Sequence, residues 1–137
     1  MTRPAGTANV PLHVLIVDDN VSAAQTTGWM VELMGYTYAL ADRGSTAIAS
    51  AATQPPDVVI LDIGLPGTNG LDICRDMKTM PGLAGTVFIA HSGYGDARTR
   101  ALAAEAGFAH FLLKPFEALT LETLLAEAAE RKASRLK

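Results

Sequence analysis

Cysteine is nearly absent from this 137-residue chain: Cys74 stands alone, so no internal disulfide or thiolate metal site can form, and a reducing compartment is the simplest setting. Excess positive charge is missing as well. Eleven Lys and Arg face fourteen Asp and Glu for a net charge of −3, the opposite of what a phosphate backbone attracts, so no direct nucleic-acid partner is expected. Long hydrophobic runs are lacking too. The run Val14 to Val17 is cut by Asp18 and Asp19, and residues 1 to 11 are polar with a single Arg, which leaves neither a signal peptide nor a membrane span and predicts a soluble, cytoplasmic protein.

What is present is apolar. Hydrophobic residues make up 49% and charged ones only 18%, below the roughly 25% usual for soluble proteins, so the chain can bury a core. Its length suits one domain. Pro4, Gly6 and Pro11 with almost no large side chains between them predict a flexible leader over 1–11, with the folded domain over 12–137.

From Leu12 onward, short runs of branched apolar residues alternate five times with longer alanine-rich segments of helical period. Strands are predicted over 12–17, 36–40, 57–61, 86–90 and 108–113. The intervening helices cover about 21–34, 45–53, 71–79 and 97–106, and a closing helix spans 119–135. Asn20 suits the cap of the first, and Gly35 its stop. Val58-Val59-Ile60-Leu61 is continuously apolar rather than alternating, as in a parallel sheet covered on both faces. Five such units predict a doubly wound (βα)5 α/β fold, because parallel neighbours need right-handed helical crossovers.

In such sheets ligands sit beyond the carboxyl ends of the strands. Here those ends carry Asp18-Asp19, Asp62, Ser92 and Lys114. If the first and third strands are neighbours, three carboxylates converge, and each pair at about 4 Å repels by roughly 4 kcal/mol at an effective dielectric near 20. A hard divalent ion such as Mg2+ would offset that. A metal, an ammonium group, a hydroxyl and a nucleophilic carboxylate together point to phosphoryl chemistry.

Val14-Leu15-Ile16-Val17-Asp18-Asp19-Asn20, Val58-Val59-Ile60-Leu61-Asp62 with Leu65-Pro66-Gly67 and Gly70, Ser92-Gly93-Tyr94, and Phe111-Leu112-Leu113-Lys114-Pro115-Phe116 follow one another in order. In this the sequence resembles the receiver domain of two-component response regulators over roughly residues 12–132. The resemblance implies the flavodoxin-like strand order 2-1-3-4-5. It implies that Asp62 accepts a phosphoryl group from the phosphohistidine of a histidine kinase or histidine phosphotransfer protein, switching a protein-interaction surface. It places Mg2+ on Asp19 and Asp62 directly, on Asp18 through water, and on the backbone carbonyl of Gly64. Lys114 would pair with the phosphoryl oxygens, Ser92 would move to bond one of them, and Phe111 would be the switch aromatic that follows it. A cis Lys114–Pro115 bond is implied as well. No turnover of an outside substrate is implied beyond promotion of the domain's own phosphorylation and dephosphorylation. The segment from Ile89 to Gly95, with Ala106-Gly107-Phe108 and Lys114-Pro115, most resembles receivers attached to hybrid sensor kinases.

Gly64 and Tyr94 depart mildly from the commonest pattern, at positions that border the path of the hydrolytic water. His91 is read as packed in a polar gap, and His13 and His110 as structural, because nothing at metal-ligand spacing joins them. A phosphohydrolase using an aspartate nucleophile would carry D-x-D, where this chain has Asp62-Ile63-Gly64. A nucleotide-binding domain would carry G-x-G-x-x-G or G-K-[ST], and Asp18-Asp19-Asn20 offers neither. A receiver-like module that works without phosphate stays open as the alternative. On the first helix, Ala23, Thr26 or Thr27, Met30 and Met34 are expected inward, and Val21, Gly28 and Trp29 outward toward a docking partner, with Trp29 sealing the core as the alternative.

Overall fold

The computed structural model describes residues 10–64 and 69–136. The strands are β1 (His13–Val17), β2 (Thr37–Ala41), β3 (Val58–Asp62), β4 (Val87–Ser92) and β5 (His110–Leu113). The helices are α1 (Val21–Leu33), α2 (Gly44–Thr53), α3 (Gly70–Lys78), α4 (Ala97–Ala106) and α5 (Ala118–Arg135). All pairings are parallel and the strand order is β2-β1-β3-β4-β5, so the expected doubly wound sheet is the one observed.

Strand side chains alternate between two cores. Leu15, Val17, Val59, Leu61, Phe88 and Ala90 meet Ala47 and Ala51 of α2, Ile73, Cys74 and Met77 of α3, and Ala103 and Ala106 of α4. Val14, Ile16, Val58, Ile60 and Ile89 meet Ala24 and Val31 of α1 and Leu121, Leu125, Ala128 and Ala129 of α5. Both faces are therefore dry, which explains why β1 and β3 read as unbroken apolar runs. Each fully buried Leu contributes about 1.5–3 kcal/mol by its removal from water.

Local chemistry sets the helix ends. Asn20 caps α1 by accepting from the Ala23 N–H (3.0 Å), and Asp96 caps α4 through the Thr99 N–H (3.3 Å). Gly107 ends α4 at φ 113°, a left-handed conformation that glycine adopts without a Cβ clash.

Three expectations are corrected. β3 and β4 run on to Asp62 and Ser92, because Asp62 still pairs with His91 and Ser92 with Leu113. β5 starts at His110 rather than Phe108, which belongs to the turn after α4. On α1, Thr27, Met30 and Met34 pack inward as expected, but Ala24, Gly28 and Val31 share that face and Ala23 is only half-buried, so Gly28 points inward. A Cβ at Gly28 would collide with the Tyr38 ring of β2, so the missing side chain accommodates that ring rather than a partner helix. The sequence could not settle this face because α1 is apolar on both sides: Val21 is 70%, Trp29 57% and Leu33 78% exposed. Trp29 therefore lies on the surface and does not seal the core.

Of the leader expected over 1–11, residues 1–9 fall outside the described residues, as do Leu65, Pro66 and Gly67. The Pro11 carbonyl accepts from Lys132 Nζ (2.6 Å), which also pairs with Asp57 (3.1 Å). Among the described residues no helix is long and apolar enough to cross a membrane.

Candidate functional site

The carboxyl edge of the sheet gathers what the sequence placed at its strand ends. Because β1 and β3 are neighbours, Asp18, Asp19 and Asp62 meet, each with a carboxylate oxygen within 4.8 Å of the others. Asp18 and Asp62 are buried and Asp19 is exposed. The turn backbone holds two of these acids, since Asp18 accepts from the Asn20 N–H (2.9 Å) and Asp62 from the Gly64 N–H (2.8 Å).

Lys114 arrives from the end of β5, and the Lys114–Pro115 bond is cis. Its Nζ lies 2.6 Å from Asp62 and 3.8 Å from Asp18. Burial works against the ammonium, but the bond to Asp62 and the charges of Asp62, Asp18 and Asp19 outweigh it and hold its pKa above the ordinary lysine value. The pKa of Asp18 is raised too, which for an acid disfavours the charged form. Burial pushes its pKa up, repulsion from Asp62 and Asp19 adds to that, and the Asn20 N–H and Lys114 only partly offset it.

The chemistry of these donors fits a hard cation. Three carboxylates, an all-oxygen set, carry more negative charge than one ammonium neutralises, and that set suits Mg2+. Among the described residues this is the group of His, Cys, Asp or Glu side chains that converges closely enough to hold a metal ion. Gly64 sits exposed in the turn just after Asp62, and a Cβ there would stand 3.3 Å from Asp62 Oδ1.

Ser92 ends β4 on the other side of Asp62. It is buried, and its Oγ accepts from the Tyr94 N–H (3.0 Å) while its carbonyl accepts from the Lys114 N–H (2.7 Å). Tyr94 is 78% exposed. Phe111 is half-buried on β5 beside Ala90.

The histidines are structural, with one refinement. His91 packs edge-on against Phe116 (5.1 Å between centroids) rather than in a polar gap. Burial first, and the Lys114 charge second, bring its pKa down to about 4, so near neutral pH it is an uncharged wedge. His13 lies at the opposite end of the sheet with Nδ1 2.8 Å from Thr37 Oγ1. His110 is half-buried on β5 beside a hollow lined by Glu127, Glu130 and Arg131.

One neighbour of the site carried no signal in the sequence. Arg100 of α4 lays its guanidinium over the Phe111 ring, 4.6 Å from the centroid, and its Nε–H donates to the Gly95 carbonyl (2.9 Å). Nothing in the sequence separates Arg100 from Arg98, two positions earlier in the same alanine-rich helix.

Known proteins are similar to this chain in sequence and in fold. A TcrX protein of Mycobacterium tuberculosis, described as a probable transcriptional regulatory protein, is 36% identical over 107 residues, covering 77% of this chain and 44% of its own length. The DNA-binding response regulator MtrA of Mycobacterium leprae is 31% identical over 105 residues, covering 77% of this chain and 45% of its own. The chain thus spans less than half the length of these curated relatives. A putative response regulator from Chloroflexus aurantiacus superposes with a TM-score of 0.80 at 28% identity, covering 87% of this chain and 98% of that one. A CheY-like receiver domain protein from Methanospirillum hungatei gives a TM-score of 0.81 at 21% identity, covering 92% of this chain and 98% of that one, and supports the fold alone. Residues 14–126, most of the chain, match the response regulator receiver domain, and it is to this family that the protein belongs.

Proposed function

We propose that Asp62 is the phosphoacceptor of this receiver domain and that its donor is the phosphohistidine of a histidine kinase or histidine phosphotransfer protein. The observation that carries this reading is the meeting of three carboxylates with one ammonium at the carboxyl edge of the sheet. An Asp62 oxygen attacks the phosphorus, the N–P bond breaks, and the imidazole leaves with the bonding electron pair; the product is an acyl phosphate on Asp62. Asp18, Asp19, Asp62 and the Gly64 carbonyl would hold Mg2+, which when bound neutralises charge on the transferring group.

This chain's own groups do the rest. Lys114, already 2.6 Å from the carboxylate, exchanges that partner for a phosphoryl oxygen and keeps the growing charge compensated. The Gly64 N–H fixes one Asp62 oxygen and so orients the carboxylate. Ser92 lies one strand over, where its Oγ accepts from the Tyr94 N–H and keeps its own O–H to donate; it is read as the hydroxyl that bonds a phosphoryl oxygen as the turn after β4 moves toward Asp62. Phe111, next to this turn, is read as the aromatic that follows Ser92. The partially exposed acidic edge leaves the donor free to approach, and Val21, on the first turn of α1 beside it, is the surface read as the docking side.

Incubation with acetyl phosphate and Mg2+ followed by intact mass spectrometry tests the assignment. Wild type should gain about 80 Da, the mass of one phosphoryl group. Asp62→Asn, nearly isosteric and short of one repelling charge, should stay folded and gain nothing. Undiminished labelling of that variant would assign the acceptor elsewhere, and a wild type that never labels would favour a module that works without phosphate.

A further inference from the structure

We infer that Arg100 is a positioning residue, a latch that ties the β4–α4 turn to the Phe111 ring and holds both in the arrangement seen here, against the movement read for Ser92 above. The inference rests on the phosphoacceptor reading above and adds to it a residue of α4.

Four observations meet at this point. The Arg100 guanidinium covers the Phe111 ring at 4.6 Å, a cation–π distance. Its Nε–H donates to the Gly95 carbonyl at 2.9 Å, so one side chain grips the turn and the strand together. Among the described residues no carboxylate pairs with Arg100, so the ring and that carbonyl are what its charge faces. The turn is packed close: a Cβ at Gly95 would stand 2.9 Å from Leu113 Cδ1 and 3.3 Å from an Arg100 guanidinium nitrogen. Gly95 thus seats the turn against β5 at the latch.

Beside the latch the turn has open space around it. A Cβ at Gly93 would meet nothing within 4 Å, and among the described residues the one hydrogen bond made by Ser92 Oγ is to the Tyr94 N–H inside the same turn. Ser92 to Gly95 can therefore move as a short unit toward Asp62, but Gly95 is held by Arg100. Moving the turn takes the Gly95 carbonyl off the guanidinium, or carries the guanidinium off the Phe111 ring. In either case moving the turn costs one of the two contacts that Arg100 makes. A contact made in one arrangement and lost in the other biases the equilibrium by its own free energy.

The test is affinity for beryllofluoride with Mg2+, measured by titration calorimetry on wild type, Arg100→Ala, Arg100→Lys and Phe111→Leu, with urea denaturation of each beforehand. Loss of the latch should tighten binding in Arg100→Ala by roughly 3- to 10-fold, the scale of a partly exposed cation–π contact plus one hydrogen bond. Arg100→Lys keeps a cation over the ring without the planar fork and should fall between. In the Phe111→Leu background the Arg100→Ala effect should shrink, since the two act as a pair. In metal-free protein, the amides of Tyr94 and Gly95 should exchange faster with solvent in Arg100→Ala than in wild type. A merely structural role for Arg100 would lower the urea midpoint and leave beryllofluoride affinity unchanged. Unchanged or weaker affinity in Arg100→Ala, with wild type binding normally, overturns the latch alone; a wild type that binds no beryllofluoride overturns the phosphoacceptor reading and the latch with it.

Discussion

Neutralising Asp18 should make the metal-free domain more stable while removing much of its response to Mg2+. The carboxylate is 3% exposed and has an acid of the same cluster within 4.8 Å on two sides. At that separation each like-charge pair costs at least ~3.5 kcal/mol at an effective dielectric near 20, and Lys114 at 3.8 Å returns ~4.4 kcal/mol. Asp19 is exposed, and the Lys114 side chain is 34% exposed, so solvent screens both contributions. What survives is an imbalance on the side of repulsion, to which burial of the charge adds. Asp18→Asn removes the charge and keeps an amide oxygen for the Asn20 N–H. The expected gain is ~1–2 kcal/mol in the presence of a chelator, or a rise of about 0.5–1 M in the urea midpoint. With millimolar Mg2+ the wild type should recover the difference, because a ion that binds only the folded state stabilises it.

The pH dependence follows the same cause. The folded-state pKa of Asp18 lies above its unfolded value, so its penalty is absent below 3.8 and develops as pH rises through the folded value. The advantage of Asp18→Asn in chelator should therefore shrink on acidification. Urea titrations of both proteins, with chelator and with Mg2+, provide the assay. A variant less stable than wild type in chelator, or one that gains as much from Mg2+, would refute the crowding argument.

Three further outcomes are expected. Gly70→Ala should destabilise by ~1–3 kcal/mol despite the better helix propensity of Ala, because its Cβ would stand 2.6 Å from the Ile63 backbone and 3.1 Å from the Asp62 carbonyl, neither of which can yield. For Gly28→Ala the nearest atoms belong to the half-buried Tyr38 ring, a side chain that can shift where backbone cannot, so the cost should be smaller, and equal urea midpoints for the two variants would contradict this. Burial holds the His13 pKa below 6.5 despite the nearby Asp57, so His13 supports folding above that pH and loses its contribution as pH falls; His13→Gln should flatten the urea midpoint between about pH 7 and about pH 5, and an unchanged slope would count against it. Val21→Glu should slow transfer from a phosphohistidine protein and leave acetyl phosphate labelling intact, since Val21 is 70% exposed; equal loss with both donors would point to a damaged pocket instead.

The order of elements was legible in the sequence because each depends on neighbours along the chain. An unbroken run such as Val58 to Leu61 states that both faces are covered, and Asn20 and Gly107 state where helices start and stop. The polar residues at the strand ends were legible too, since a doubly wound sheet puts those ends on one edge. Register, facing and distance belonged to the tertiary structure. Composition could not orient α1, whose small residues offer little contrast between faces; the Tyr38 ring of β2 decided that Gly28 turns inward. His91 reads as polar in the sequence, and only its burial against Phe116 makes it a neutral packing group. Arg100 is one of two similar arginines until α4 is docked on β5, when a single guanidinium comes to lie between Phe111 and Gly95. Contacts of this kind join residues far apart in the chain, and their energies depend on ångström-scale separations that no local pattern encodes.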